Sequence, residues 1–360
     1  MDRLFQPLTF ARGPVMKNRF MLAPLTNLQS HADGTLSDEE FHWLSLRARG
    51  GFGLIMTCAS HVQAIGQGFH GQLGTWSDRH VAGLTRLARE IHRHGSVAVV
   101  QLHHAGRRSP TALIGSAPVS ASAHEKTGAR ALSMEEVEQL VADFVEAAAR
   151  VELAGFDGVQ VHGAHGYLVC QFLSARSNRR NDRYGGSLEN RCRLLFDILR
   201  GIRQRCRPDF LLSVRLSPER FGLDLGEVRD IAARLVDSGL IDSLDMSLWD
   251  VFKEPEKADY KGKLLLDWFT ALDRGEVRLS VAGKIRTARD AQRVFAAGVD
   301  ALTIGRAAIL HHDFPERCRD DPFFEPVELP VTPDYLRSEG LSGKFIDYLG
   351  TWDGFVEKDV

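Results

Sequence analysis

Val277–Arg306 reads VRLSVAGKIRTARDAQRVFAAGVDALTIGR and holds one complete structural unit. Val277–Ala282 is a short aliphatic run, Gly283–Arg286 a polar loop, Thr287–Ala297 an amphipathic helix, and Ala301–Gly305 a second aliphatic run. Two such runs joined by a helix pack as parallel strands. Outward from this unit the pattern recurs. Further strands are predicted at Phe20–Pro24, Gly53–Thr57, Ser96–Leu102, Gly158–His162, Leu211–Leu216 and Ser243–Ser247. Helices are predicted near Asp38–Ala48, Asp78–His92, Met134–Leu153, Leu188–Arg205, Gly226–Asp237 and Leu264–Asp273. Ser133 and Glu136 form a capping box at the start of the third helix.

Eight strands alternating with helices over roughly 300 residues predict an α/β fold, a closed (β/α)8 TIM barrel. The competing doubly wound sheet carries a G-x-G-x-x-G turn after its first strand, and none follows Phe20–Pro24. One domain is expected over residues 1–360. Its tail, from about 322 to 360, is expected to pack on the barrel or on the neighbouring subunit of a homo-oligomer. The loop Gly106–Gly128 is long enough for a lid over the barrel mouth.

Composition narrows the function. The hydrophobic share is 44%, ample for a large core, and the formal net charge is −2. No basic patch argues for nucleic acid and no block of like charges for a disordered arm. No apolar stretch approaches the ~20 residues that span a bilayer, and the N-terminus lacks a signal pattern, so a soluble cytoplasmic protein is expected. Cys58, Cys170, Cys192, Cys206 and Cys318 are scattered without a C-x-x-C pair, as buried thiols would be.

Active sites of such barrels lie at the C-terminal strand ends. Gly283 and Gly305-Arg306 stand at the last two strand ends, where backbone amides and a guanidinium make a phosphate site. His162 and His165 leave the fourth strand together and can donate to one oxygen, polarising a carbonyl or nitro group. Tyr167, two residues on, can serve as proton donor. His-x-x-His can also begin a zinc site, but no third ligand accompanies it, so no metal is assigned. Gln101 offers a donor and an acceptor to a heterocycle edge, or is a barrel-interior residue satisfied by backbone. Arg215 inside a barrel needs an anion, either a ligand's or a carboxylate's. His103 and His104 are given no role.

These residues lie in strings that resemble one family. Phe156–Arg193 (FDGVQVHGAHGYLVCQFLSARSNRRNDRYGGSLENRCR), Asn18–Thr26 (NRFMLAPLT), Gln101–Arg107 (QLHHAGR), Val214–Pro218 (VRLSP) and the G-K-I…G-V-D…I-G-R pattern of Gly283–Arg306 resemble the old yellow enzyme family. The resemblance runs from about residue 3 to 320. It implies a bound FMN, NADH or NADPH as reductant, and hydride transfer from flavin N5 to the activated C=C of α,β-unsaturated carbonyl or nitro compounds. It places Ala23, Pro24, Leu25 and Thr26 along the flavin, Ala59 and Gln101 at its edge, Arg215 facing N1–C2=O, and Gly283, Gly305 and Arg306 on the phosphate. His162 and His165 would hold the substrate oxygen, with Tyr167 protonating Cα. The Asp182–Asn190 loop would brace the excursion after the fourth strand.

The chain also selects within that family. Its pair is His/His where many members have His/Asn, Thr26 stands where one branch has cysteine, and Asn27-Leu28 replace a tyrosine that some members use as a pocket wall. The chain stops near residue 360 without the cysteine cluster of larger relatives, so a nicotinamide is expected to dock over the same flavin face. Three alternatives stand beside ene-reduction. They are an FMN-dependent demethylase or dehydrogenase of small N-methylated amines, with Trp249 as part of a cation-binding wall; a metal-dependent hydrolase; and a flavin carrier without turnover.

Overall fold

The computed structural model describes residues 1–357, so the last three residues of the expected tail lie outside the described residues. Eight parallel strands close a barrel: β1 (Phe20–Leu22), β2 (Leu54–His61), β3 (Val97–His103), β4 (Gly158–Gly163), β5 (Leu211–Leu216), β6 (Ser243–Ser247), β7 (Arg278–Ala282) and β8 (Ala301–Ile304). Neighbours in the chain are neighbours in the sheet, and Phe20 opposite Leu302 closes the ring. The helices α1 (Asp38–Arg49), α2 (Val81–Arg93), α3 (Met134–Leu153), α4 (Leu188–Arg205), α5 (Leu225–Asp237), α6 (Ala288–Ala296) and α7 (Arg306–Leu310) follow strands one to five, seven and eight in turn.

Side-chain alternation divides the interior. On β4, Val159 and Val161 face the helices and join the main core. Gln160 and His162, between them in sequence, point into the barrel. At the barrel floor a second cluster, including Met21, Leu54, Val97 and Leu211, packs under Leu8, Phe10 and Met16. A short antiparallel bridge between Leu8 and Met16 holds that plug. The floor is therefore mainly apolar, and the connected polar side chains of the interior lie above it.

Helix starts follow the local chemistry. Ser37, Ser133, Ser187, Asp224 and Thr287 each accept a first-turn backbone N–H, and Ser133–Glu136 and Thr287–Asp290 form full capping boxes. Each cap is worth about 1 kcal/mol. The exception is Leu264–Asp273, where only Asp267–Thr270 is α-helical. Leu265 N–H is spent on the Lys253 carbonyl, 2.8 Å away, and Arg274 takes the Thr270 carbonyl at 3.0 Å. The backbone groups that a longer helix needs are thus used elsewhere.

β2 runs on to His61, beyond the predicted end, through a register shift between Met56 and Ala59. All five cysteines are buried and free. The tail returns to the barrel. Phe345 packs edge-on to Trp43 at 5.0 Å, Tyr335 donates to the Leu310 carbonyl at 2.7 Å, and Ser342 N–H donates to Gln29 Oε1 at 3.1 Å. Among the described residues no helix is long and apolar enough to cross a membrane.

Candidate active site

The upper barrel is lined by one connected polar layer. Strand register sets His162, Arg215 and Asp245 side by side on β4, β5 and β6. Gln101 donates through Nε2 to Gln160 Oε1 at 2.7 Å, and Gln160 donates to Ser213 Oγ at 3.2 Å. Of the two readings of Gln101, the barrel-interior one is realised on its amide nitrogen, through a side chain and not backbone. Arg215 is an ion pair: its Nε lies 3.2 Å from Asp245 Oδ2. Asp245 is fully buried and also accepts from Ser280 and Thr303 at 3.1 and 3.0 Å. Arg215 therefore keeps only part of its guanidinium for a ligand.

Above this layer stand the imidazoles and the phenol. His162 lies 5.1 Å from His165 and 5.4 Å from Tyr167, centroid to centroid. His165 has a φ of +59°. That left-handed turn folds its ring back across the strand ends, where Nε2 meets Ser247 Oγ at 2.8 Å and its backbone N–H donates to Ser217 Oγ at 3.0 Å. Such a conformation in a non-glycine residue costs on the order of 1 kcal/mol and persists because those two bonds hold it. Tyr167 caps the buried helix Leu168–Leu173. His162 Nδ1 is buried without a partner. Burial pushes the His162 pKa well below the ordinary histidine value and that of His165 down to about 3. Both rings are therefore neutral near pH 7, each a donor on one nitrogen and an acceptor on the other.

A third imidazole belongs to this cluster. His103 lies 4.4 Å from Tyr167 and 5.4 Å from His162, in the inward register it shares with Gln101. Gln72 accepts from Gly68 N–H at 2.6 Å and donates to the Ala59 carbonyl at 2.7 Å, which fixes its amide orientation. That same amide nitrogen faces His103 Nδ1 at 3.1 Å, so the proton of His103 sits on Nε2. His104 is turned away: its Nδ1 accepts from Gly106 N–H at 2.9 Å.

The first strand end is fixed from behind. Asn27 is fully buried and donates to Glu40 Oε1 at 3.2 Å, so it forms barrel wall and not pocket wall. Glu40, which also takes the Ser30 hydroxyl, is a buried acid whose pKa burial raises. Ala23, Pro24, Leu25 and Thr26 run across the mouth ahead of it, and half-exposed Ala59 sits at the β2 irregularity.

The two glycine ends differ. Gly283 has a φ of +151°, and a Cβ there would stand 2.9 Å from the Asp250 nitrogen. It is a close backbone approach, four residues ahead of the Thr287 cap and not at a helix start. Gly305 does cap α7, with no side chain capping that helix, and a Cβ there would meet nothing nearer than Leu25 at 3.8 Å. Arg306 is exposed and has no carboxylate within ion-pair distance among the described residues. Partial burial, then repulsion from nearby Arg286, lowers its pKa. A bare helix start beside two unneutralised guanidiniums is a donor set for a phosphate. Arg286 and Trp352, whose ring lies 5.3 Å from the Arg306 guanidinium, are additions that sequence reasoning missed.

The Arg220 guanidinium covers one face of the Trp249 ring at 4.7 Å, and the rest of this side chain is exposed. Within Gly106–Gly128 the chain forms short helical turns, and Val119–Ser120 pairs with Arg130–Ala131 beside the mouth. In Asp182–Asn190, Asp182 holds Arg180, whose Nη1 donates to the Ala121 and Leu132 carbonyls at 3.0 and 2.6 Å. Among the described residues no group of three or more His, Cys, Asp or Glu side chains is arranged to hold a metal ion.

The comparisons with known proteins agree on one family. The model of the NADH:flavin oxidoreductase / NADH oxidase family matches residues 3–321. An NADPH dehydrogenase of Bacillus cytotoxicus is 31% identical over 345 residues, 94% of this chain and 97% of that one. The NADH:fumarate oxidoreductase of Klebsiella pneumoniae (strain 342) is 34% identical over 88% of this chain, which spans only 36% of that protein's length. An old yellow enzyme homologue from Zymomonas mobilis superposes with a TM-score of 0.79 at 30% identity, covering 92% of this chain and 96% of the other.

Proposed function

The chain belongs to the NADH:flavin oxidoreductase / NADH oxidase family as an FMN-dependent NAD(P)H oxidoreductase of the old yellow enzyme type, and on that footing we propose that it reduces activated C=C bonds of conjugated carbonyl or nitro compounds. The observation that carries this reading is the His162/His165/Tyr167 cluster, two neutral imidazoles and a phenol at the rim of a polar barrel.

The residues present fit FMN. The open cradle at Gly305, with Arg306 and Arg286, matches a phosphate, and Gly283 follows the neighbouring strand β7. Ala23–Thr26, Ala59, Gln101 and the Arg215–Asp245 pair would line the ring. FMN supplies two-electron hydride chemistry at its N5. The chain's own residues do the rest. An N–H from His162 and one from His165 hold a carbonyl or nitro oxygen and polarise the conjugated bond. Neutral imidazoles suit this task, because they donate without giving up a full proton to the developing enolate. Tyr167 then protonates Cα. The Klebsiella relative, of which this chain spans 36%, is named for fumarate, an alkene between two carboxylates, and an alkene acceptor is in keeping with that name. One face of Trp249 already carries the Arg220 cation, which weakens the case for N-methylated amines.

The test uses phenol-type ligands, which place an oxygen where the substrate oxygen would sit. The His162→Ala/His165→Ala variant should retain FMN and lose phenol binding by at least about 100-fold, two charge-neutral hydrogen bonds at roughly 1.5 kcal/mol each. Titration followed by the flavin absorption spectrum reads it. Undiminished phenol affinity would remove the assigned oxygen site.

A further inference from the structure

Arg108 stands directly over the reacting side chains and has no role in the reading above. Its guanidinium carbon lies 4.5 Å from the centre of the Tyr167 ring. Its Nη1 donates to the His165 carbonyl at 2.6 Å, so it is held in place by both residues. The remaining N–H groups of this exposed side chain have no hydrogen-bond partner among the described residues. The nearby carboxylates are already matched: Asp245 with Arg215, Glu219 with Lys253 and Asp250 with Lys284. Arg108 has no carboxylate within ion-pair distance among the described residues, and neither has its neighbour Arg107. With His103, His162 and His165 neutral, Arg108 is the unneutralised charge that touches Tyr167.

Resting on the proposed ene-reduction, we infer that the acceptor carries a carboxylate beside its activated double bond and that Arg108 binds it. An acceptor whose activating oxygen lies on His162 and His165 and whose Cα lies under Tyr167 has its far substituent within reach of Arg108. A guanidinium presents two parallel donors to a carboxylate, and here it is already oriented. The other anion that enters this site is a phosphate of the nicotinamide. A ribose separates such a phosphate from the reacting ring, whereas a conjugated carboxylate is one bond from the reacting carbons. The carboxylate therefore suits a cation that lies against the proton donor itself.

The test pairs (E)-4-oxopent-2-enoate with its methyl ester, which share the enone and differ by one charge. The holoenzyme should favour the acid in kcat/KM for acceptor reduction. Arg108→Gln should cut the acid-to-ester ratio by about tenfold or more, the worth of one charge-assisted hydrogen bond. Arg108→Lys should restore part of it, and added salt should lower the ratio in the parent enzyme. Because the readout is a ratio, a general disturbance of the mouth does not move it. An unchanged ratio in Arg108→Gln, with both acceptors still reduced, would overturn this inference alone. A loss confined to the rate of FMN reduction by NADH or NADPH would overturn it in favour of a nicotinamide phosphate. Reduction of neither acceptor by the parent enzyme would overturn the ene-reductase reading along with it.

Discussion

Replacing Tyr167 by phenylalanine is expected to slow acceptor reduction by about 100-fold or more, the usual worth of a positioned general acid. That corresponds to roughly 2.7 kcal/mol in the barrier. The ring itself is well anchored. It packs edge-on against His103 at 4.4 Å and under Arg108 at 4.5 Å, and its backbone caps the helix Leu168–Leu173. Phenylalanine keeps all of those contacts, so only the hydroxyl is lost. The bleaching of bound FMN by NADH or NADPH needs no proton from Tyr167 and should keep its rate. Stopped-flow measurement of the two half-reactions separates them. An equal loss in both would show that Tyr167 shapes the site and does not protonate the acceptor.

The largest stability effect is expected at Arg215. Arg215→Met leaves Asp245 fully buried, with the Ser280 and Thr303 hydroxyls and no cation. Breaking a buried pair from one side costs about 3–5 kcal/mol, because the surviving charge has no water to return to. Urea unfolding of the apoprotein should show that loss. Asp245→Asn on top of Arg215→Met should recover a good part of it, since the uncompensated charge is then gone. A loss below about 1 kcal/mol in the single variant would mean that the pair is hydrated, contrary to the buried layer described above.

The same pair shows where reading the sequence stops. Arg215 could be placed inside the barrel because a short aliphatic run, Leu211–Leu216, alternates around it. Its partner could not be named, because parallel neighbours are joined by a helix and the register between β5 and β6 is set by packing. Gln160, Asp245 and His103 share this history. Each is a polar residue in an aliphatic strand, and each becomes legible only once inward and outward faces are known. The clearest elements were those with strong local signals: the Ser133–Glu136 capping box, and the bounds of β5 and β6, which agree with the aliphatic runs. Leu264–Asp273 misled because its periodicity is helical while its backbone groups bond to Lys253 and Arg274. At the phosphate cradle, Gly305 and Arg306 were legible as a strand end followed by a helix. Arg286 comes from the loop ahead of α6 and Trp352 from the tail, more than forty residues beyond Arg306, a separation that no local pattern bridges.

The proposed reaction couples NAD(P)H oxidation, through FMN, to the reduction of a conjugated alkene. An anaerobic double-mixing experiment tests it most directly. The yellow holoenzyme is first bleached by one equivalent of NADH or NADPH, then mixed with cyclohex-2-enone in the absence of oxygen. The yellow colour should return, with one equivalent of cyclohexanone formed per flavin. A bleached enzyme that stays colourless with the enone, a nitroalkene and a conjugated acid, and recovers only when air is admitted, would contradict the assignment.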